Sequence, residues 1–164
     1  SGPTNEEPVD PQTMTAVQLV TGFNGFGVHT LFSIVRSFPN LYKNIIFASV
    51  GVADSGVFKG AEEMEALKES TVASLKKYVD LARRLGIRAD YRLDVGTDVV
   101  ESAVLLCESV AEEFPRSTFF TGQLVFQHVH FFHKLLHNET AFAIQRRLQW
   151  DGMTTVILPI RVNL

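Results

Sequence analysis

Apolar residues along this chain recur in two rhythms, short continuous runs and longer stretches at helical spacing, and the two alternate. Ala16-Val17-Gln18-Leu19-Val20 is short, apolar and β-branched, the mark of a strand buried on both faces. A glycine-rich turn, Thr21-Gly22-Phe23-Asn24-Gly25-Phe26-Gly27, follows it. Val28 to Phe38 places Leu31, Ile34, Val35 and Phe38 at helical spacing, and Pro39 stops the helix. Lys43 to Val52, centred on Ile45-Ile46-Phe47-Ala48-Ser49-Val50, predicts a second buried strand, and Asp54-Ser55-Gly56 a turn. A long helix is expected from Ala61 to Leu85, with Met64, Leu67, Thr71, Leu75, Tyr78, Val79, Ala82 and Leu85 on its inner stripe. Its acids come early and its bases late, which suits the helix dipole, and Gly86 supplies the C-terminal glycine.

Arg88 to Val95 alternates. Ala89, Tyr91, Leu93 and Val95 face one way and Arg88, Asp90, Arg92 and Asp94 the other, so this strand belongs at a sheet edge. Gly96-Thr97-Asp98 forms a turn and N-cap for a helix over Val99 to Phe114, which Pro115 ends. Ser117 to Thr121 reads as a buried strand closed by Gly122. Leu124 to His137 has no clear period. Asn138 or Thr140 can cap a helix running to Trp150, with Ala141, Ile144 and Leu148 inward, and Asp151-Gly152 terminates it. Thr154 to Val162 is the last strand. Pro159 lies within it and cannot donate to a ladder, so this strand is also an edge.

Strand and helix in alternation predict an α/β fold, a three-layer αβα sandwich around a five-stranded, mainly parallel sheet. With the third and fifth strands at the edges and the others central, the order 3-2-1-4-5 satisfies the pattern. That order puts the topological reversal between strands 1 and 4, where open α/β sheets bind ligands at the strands' carboxyl ends.

A length of 164 residues is one domain's worth and can bury a core without disulfides or metals. Residues 1–14 are polar and proline-rich and read as a linker or vector-derived scar, leaving 15–164 as a soluble domain cut from something longer. The net charge of −3, without a basic stripe, argues against a nucleic-acid partner. The mean hydropathy of +0.11 leaves room for an apolar surface used by a partner or a second copy. No apolar run reaches the length of a membrane span, and no signal peptide is visible. The single cysteine, Cys107, sits among Val104, Leu105 and Leu106 and reads as a core thiol.

The candidate ligand crevice comprises Gly22, Gly25 and Gly27 after strand 1, Asp54 after strand 2 and Gly122 after strand 4. Glycines opening a helix permit close backbone approach, and N–H groups there can hold an anion such as a phosphate. The preferred reading of the same loop is a tight strand-to-helix turn whose Phe23 and Phe26 pack on a neighbouring surface. Its GxxGxG pattern is neither the dinucleotide fingerprint nor a P-loop, and no lysine follows. His128, His130, His133 and His137 cluster; on a helix the last three share a face at metal-binding spacing, but interleaved Phe126, Phe131, Phe132, Leu135 and Leu136 favour a packing or interface segment, so no metal is assigned. There is no GxSxG and no base beside Ser55, so no catalytic residue is assigned either and the chain is read as a non-enzyme without a cofactor.

The strand order and length resemble the universal stress protein fold, many of whose members bind ATP and often dimerise through the last strand. The ATP-binding members carry an aspartate after strand 1 and a G-x2-G-x9-G-[ST] run after strand 4. Here Gly122 matches the first glycine, but Val125, Leu135 and Leu136 take the next three places and Thr21-Gly22 stands where the aspartate would be. A second resemblance covers nearly the whole chain after the linker. Gly22-Phe23-Asn24-Gly25-Phe26-Gly27, Gly122-Gln123-Leu124-Val125-Phe126 and Leu135 through Gln149 resemble the C-terminal cytosolic domain of bacterial amino acid permease-like transporters. These belong to the amino acid–polyamine–organocation superfamily; cation–chloride cotransporters carry a similar tail. The resemblance implies a non-catalytic regulatory or dimerisation domain at the cytoplasmic face of the membrane, joined to a transmembrane part of the same polypeptide. A homodimer is expected through Thr155 to Val162. The alternative is a sensor of the stress-protein type with a nucleotide or other anion as ligand.

Overall fold

The protein is described by a computed structural model covering the backbone of residues 2–53, 60–126 and 131–162, and their side chains apart from residues 123–126, 131–139 and 161–162. Its elements run β1 (Thr15–Leu19), α1 (Gly25–Ser37), β2 (Asn44–Val52), α2 (Ala61–Arg84), β3 (Arg88–Gly96), α3 (Val99–Glu113), β4 (Ser117–Phe126), α4 (Phe131–Trp150) and β5 (Thr155–Val162). The five strands pair in parallel in the order β3-β2-β1-β4-β5. This is the α/β sandwich that the alternation of strand and helix predicts.

Both faces of the sheet are covered, which is why β1 and β2 read as continuous apolar runs. On one face Ala16, Ile45, Phe47 and Phe120 meet α1 and α2 through Leu31, Ile34, Leu75 and Tyr78. On the other Val17, Ile46 and Phe119 meet α3 and α4 through Val104, Cys107, Ile144 and Leu148. The charged row of the edge strand β3 is partly covered too. The Arg92 guanidinium donates to both carboxylate oxygens of Glu113 at the end of α3, at 2.9 and 2.5 Å, and lies 3.1 Å from Asp90.

Local sequence sets the helix ends. Asp98 caps α3 by accepting from the Glu101 N–H at 3.1 Å. Two helices close with a left-handed glycine and the paired backbone bonds of a Schellman turn. After α2, Gly86 (φ 84°) donates to Arg83 and Ile87 donates to Ala82; after α4, Gly152 (φ 81°) donates to Gln149 and Met153 to Leu148.

Three boundaries differ from the sequence reading. The loop glycine Gly25 opens α1, earlier than Val28. The strand β4 does not stop at Gly122 but runs on to Phe126, paired in register with β5 as far as Val162. Helix α4 begins at Phe131, so Asn138 and Thr140 lie inside it and cap nothing. Neither residue is a strong helix breaker, so the pattern upstream of them decides.

The segment before β1 has no helix or strand and is pinned to the base of the sheet. Asn44, fully buried at the start of β2, donates to the Asp10 carbonyl at 2.6 Å and to the Thr13 and Thr15 hydroxyls, and accepts from the Asp10 N–H. Farther out, the Asn5 N–H donates to the Arg83 carbonyl at 2.9 Å. No helix among the described residues is long and apolar enough to cross a membrane.

Candidate functional site

The chain leaves β1 toward α1 on one face of the sheet and returns along β4 toward α4 on the other. A crevice of about 310 Å³ opens at that reversal, at the carboxyl ends of the strands. Leu19 of β1, Val50 of β2, Thr121 and Gly122 of β4, Ala103 of α3 and Ile144 of α4 are among the residues around it. A larger cavity, about 460 Å³, lies at the opposite end of the sheet against Asn5, Phe38, Tyr42 and Arg88, away from the reversal.

The loop after β1 is held by a tyrosine from another element. The Tyr78 hydroxyl of α2 donates to the Gly22 carbonyl at 2.7 Å and accepts from the Asn24 N–H at 3.4 Å. Its ring stacks on Phe47 at 5.2 Å and is met by Phe23 at 4.8 Å. Burial pushes the Tyr78 pKa up, against the opposing effect of the Asn24 N–H, so the hydroxyl keeps its proton. The Asn24 side chain caps α1, accepting from the Gly27 N–H at 3.0 Å and donating to the Thr21 carbonyl at 3.3 Å.

Backbone conformation accounts for one of the glycines in the predicted crevice, and packing for two others. Gly22 takes a left-handed φ of 79° in the turn. A Cβ on Gly27 would collide with the Tyr78 hydroxyl and come within 2.6 Å of its ring carbon. A Cβ on Gly122 would fall 2.5 Å from the Phe26 ring and 2.7 Å from the Thr30 hydroxyl. Gly122 is thus a mid-strand glycine that lets α1 press onto β4, which is why it does not end the strand. Gly25 opens α1 with open space where a side chain would go. The structure brings Gly22, Gly27 and Gly122 to one end of the sheet. Asp54, His128 and His130 lie outside the described residues, as do the side chains of His133 and His137.

Two polar side chains are not among the residues that the sequence assigns to the crevice. Gln18, fully buried in β1, donates to the Gly27 carbonyl at 2.9 Å while its Oε1 meets no partner among the described residues. Thr121 is 5% exposed, lines the crevice, and its hydroxyl likewise has no hydrogen-bond partner among the described residues. A polar residue at the carboxyl end of a buried strand is the signal that could have marked Thr121. Cys107, on the inner side of α3, has its pKa pushed up to about 12 by burial and by neighbouring Glu108.

No protein-family profile matches the chain, and no curated protein matches it. Among solved structures, it is similar to a protein of the universal stress protein family from Burkholderia pseudomallei. The TM-score is 0.59 at 15% identity, over 93% of this chain and all of the other. At that identity the likeness is one of fold, and the fold of this chain is that of the universal stress proteins.

Proposed function

We propose that the chain is a non-catalytic regulatory and dimerisation domain of a membrane transporter of amino acids or related solutes, held at the cytoplasmic face of the membrane. The observation that carries this reading is the outer edge of β5. The Thr154 carbonyl accepts from the Phe119 N–H at 2.9 Å, which fixes the phase of the ladder between β4 and β5. In a parallel ladder alternate residues bond to alternate sides. Thr155, Ile157, Pro159 and Arg161 therefore turn their backbone groups outward, and Pro159 gives up no internal bond. Among the described residues no strand pairs with this edge, which offers its backbone groups to a second copy except at the proline. The opposite edge, β3, carries Asp90, Arg92 and Asp94, a charged row that discourages strand addition.

Sequence supports the transporter half of the reading. The stretches that resemble the permease tail, Gly22 to Gly27, Gly122 to Phe126 and Leu135 to Gln149, fall in the loop after β1, in β4 and in α4. The described residues around the crevice include no acid, histidine, cysteine or lysine, which supports a non-catalytic role. The reading frame upstream of Ser1 tests the transporter half. It should encode several apolar segments of about 20 residues; a frame without them contradicts the proposal.

The crevice favours a second reading, a sensor domain that answers a small ligand. Calorimetry against ATP, AMP, cyclic dinucleotides and amino acids tests it, and absence of heat with every one of them counts against a ligand of those classes.

A further inference from the structure

We infer that the crevice between β1 and β4 takes a compact, uncharged ligand, apolar over most of its surface, with one hydrogen-bonding group directed to Thr121. The inference rests on the sensor reading and names the ligand class that reading leaves open.

Charge is the first argument. No lysine, arginine, histidine or carboxylate stands among the described residues that line the crevice; Leu19, Val50, Ala103 and Ile144 do. A phosphate or carboxylate entering would lose its hydration and gain no countercharge. Access to the backbone is the second. Phe26 and Thr30 fill the space over Gly122, and the Gly27 N–H is already held by Asn24, so neither glycine offers an anion a cradle. Neighbouring polar groups are also engaged. Thr30 donates to the Phe26 carbonyl at 2.9 Å, and Tyr78 to Gly22.

Thr121 is different. Its hydroxyl is buried at the crevice and has no hydrogen-bond partner among the described residues, a costly state for a polar group. An incoming neutral group can supply the missing bond. The volume of about 310 Å³ is near the lower end of the range that ligand pockets occupy, which limits the ligand to a small molecule.

Methyl-resolved NMR titration of the whole chain tests this with four probes. Indole and cyclohexanol are neutral and can hydrogen-bond, toluene is neutral and cannot, and AMP is charged. Indole, cyclohexanol and toluene should shift the methyl signals of Val50, Ala103, Ala141 and Ile144, and AMP should leave them in place. Thr121→Val should weaken cyclohexanol about three- to tenfold and leave toluene unchanged, with the remaining spectrum confirming a folded chain. Equal weakening of both overturns the role of Thr121. AMP moving these methyls while the neutral probes do not overturns the ligand class but leaves the sensor reading standing. Silence with all four probes up to their solubility overturns both.

Discussion

The phenol of Tyr78 occupies the space that a side chain on Gly27 would need, and its hydroxyl donates to the Gly22 carbonyl at 2.7 Å. A residue on α2 thereby sets the shape of the loop after β1 and the wall of the crevice. Gly27→Ala should cost roughly 1–3 kcal/mol through overpacking. In a Tyr78→Leu background the collision is gone, so the same change should cost less. Urea unfolding of the four variants checks this; equal costs in both backgrounds would show that the two residues do not compete for space.

Thr121→Val replaces an unpartnered buried hydroxyl with a methyl of similar shape. The wild type carries the desolvation cost of that hydroxyl, and the variant should be more stable by about 1–3 kcal/mol. A thermal melt reads the result as a higher midpoint. A lower midpoint would mean that the hydroxyl has a partner in the folded state.

Glu113 accepts a two-pronged hydrogen bond from Arg92, which lowers its pKa from the ordinary 4.5. A carboxylate with a depressed folded pKa stabilises the fold above its unfolded pKa, and that contribution disappears as pH falls through the folded value. Both side chains are substantially exposed, at 28% and 42%, so screening keeps the effect below about 1 kcal/mol. Glu113→Gln should be slightly less stable than wild type at pH 7, and the two should converge as pH falls below 4.5. Urea midpoints at several pH values measure the gap, and a gap that widens toward acid would contradict the assignment.

Cys107 is fully buried, with a pKa of about 12. Native protein at pH 8 should leave a thiol reagent such as Ellman's unreacted over the time in which the urea-unfolded chain releases one equivalent. Rapid native reaction would place the thiol at the surface.

The sheet order was legible because burial leaves a different trace on each strand. Ala16 to Val20 and Ile45 to Val50 are apolar apart from Gln18 and Ser49 because helices cover both faces. The alternation in β3 and the proline in β5 marked the two edges. Contacts distant in sequence were not legible. Gly122 read as a strand end because the Phe26 ring that requires it comes from a helix far earlier in the chain. Tyr78 read as a core residue because its spacing on α2 reports only which way it points, not that its hydroxyl reaches Gly22. Asn138 and Thr140 read as caps because short polar residues favour helix starts, although α4 was already under way.

Sedimentation equilibrium over a wide concentration range tests the proposed dimer most directly, with Ile157→Pro as the partner variant. That substitution removes an outward N–H from β5 without breaking a bond to β4. The account predicts a dimer for the wild-type chain and a monomer for Ile157→Pro with an unchanged circular dichroism spectrum. A wild-type chain that stays monomeric at the highest concentration, or a variant that dimerises as tightly as wild type, would contradict it.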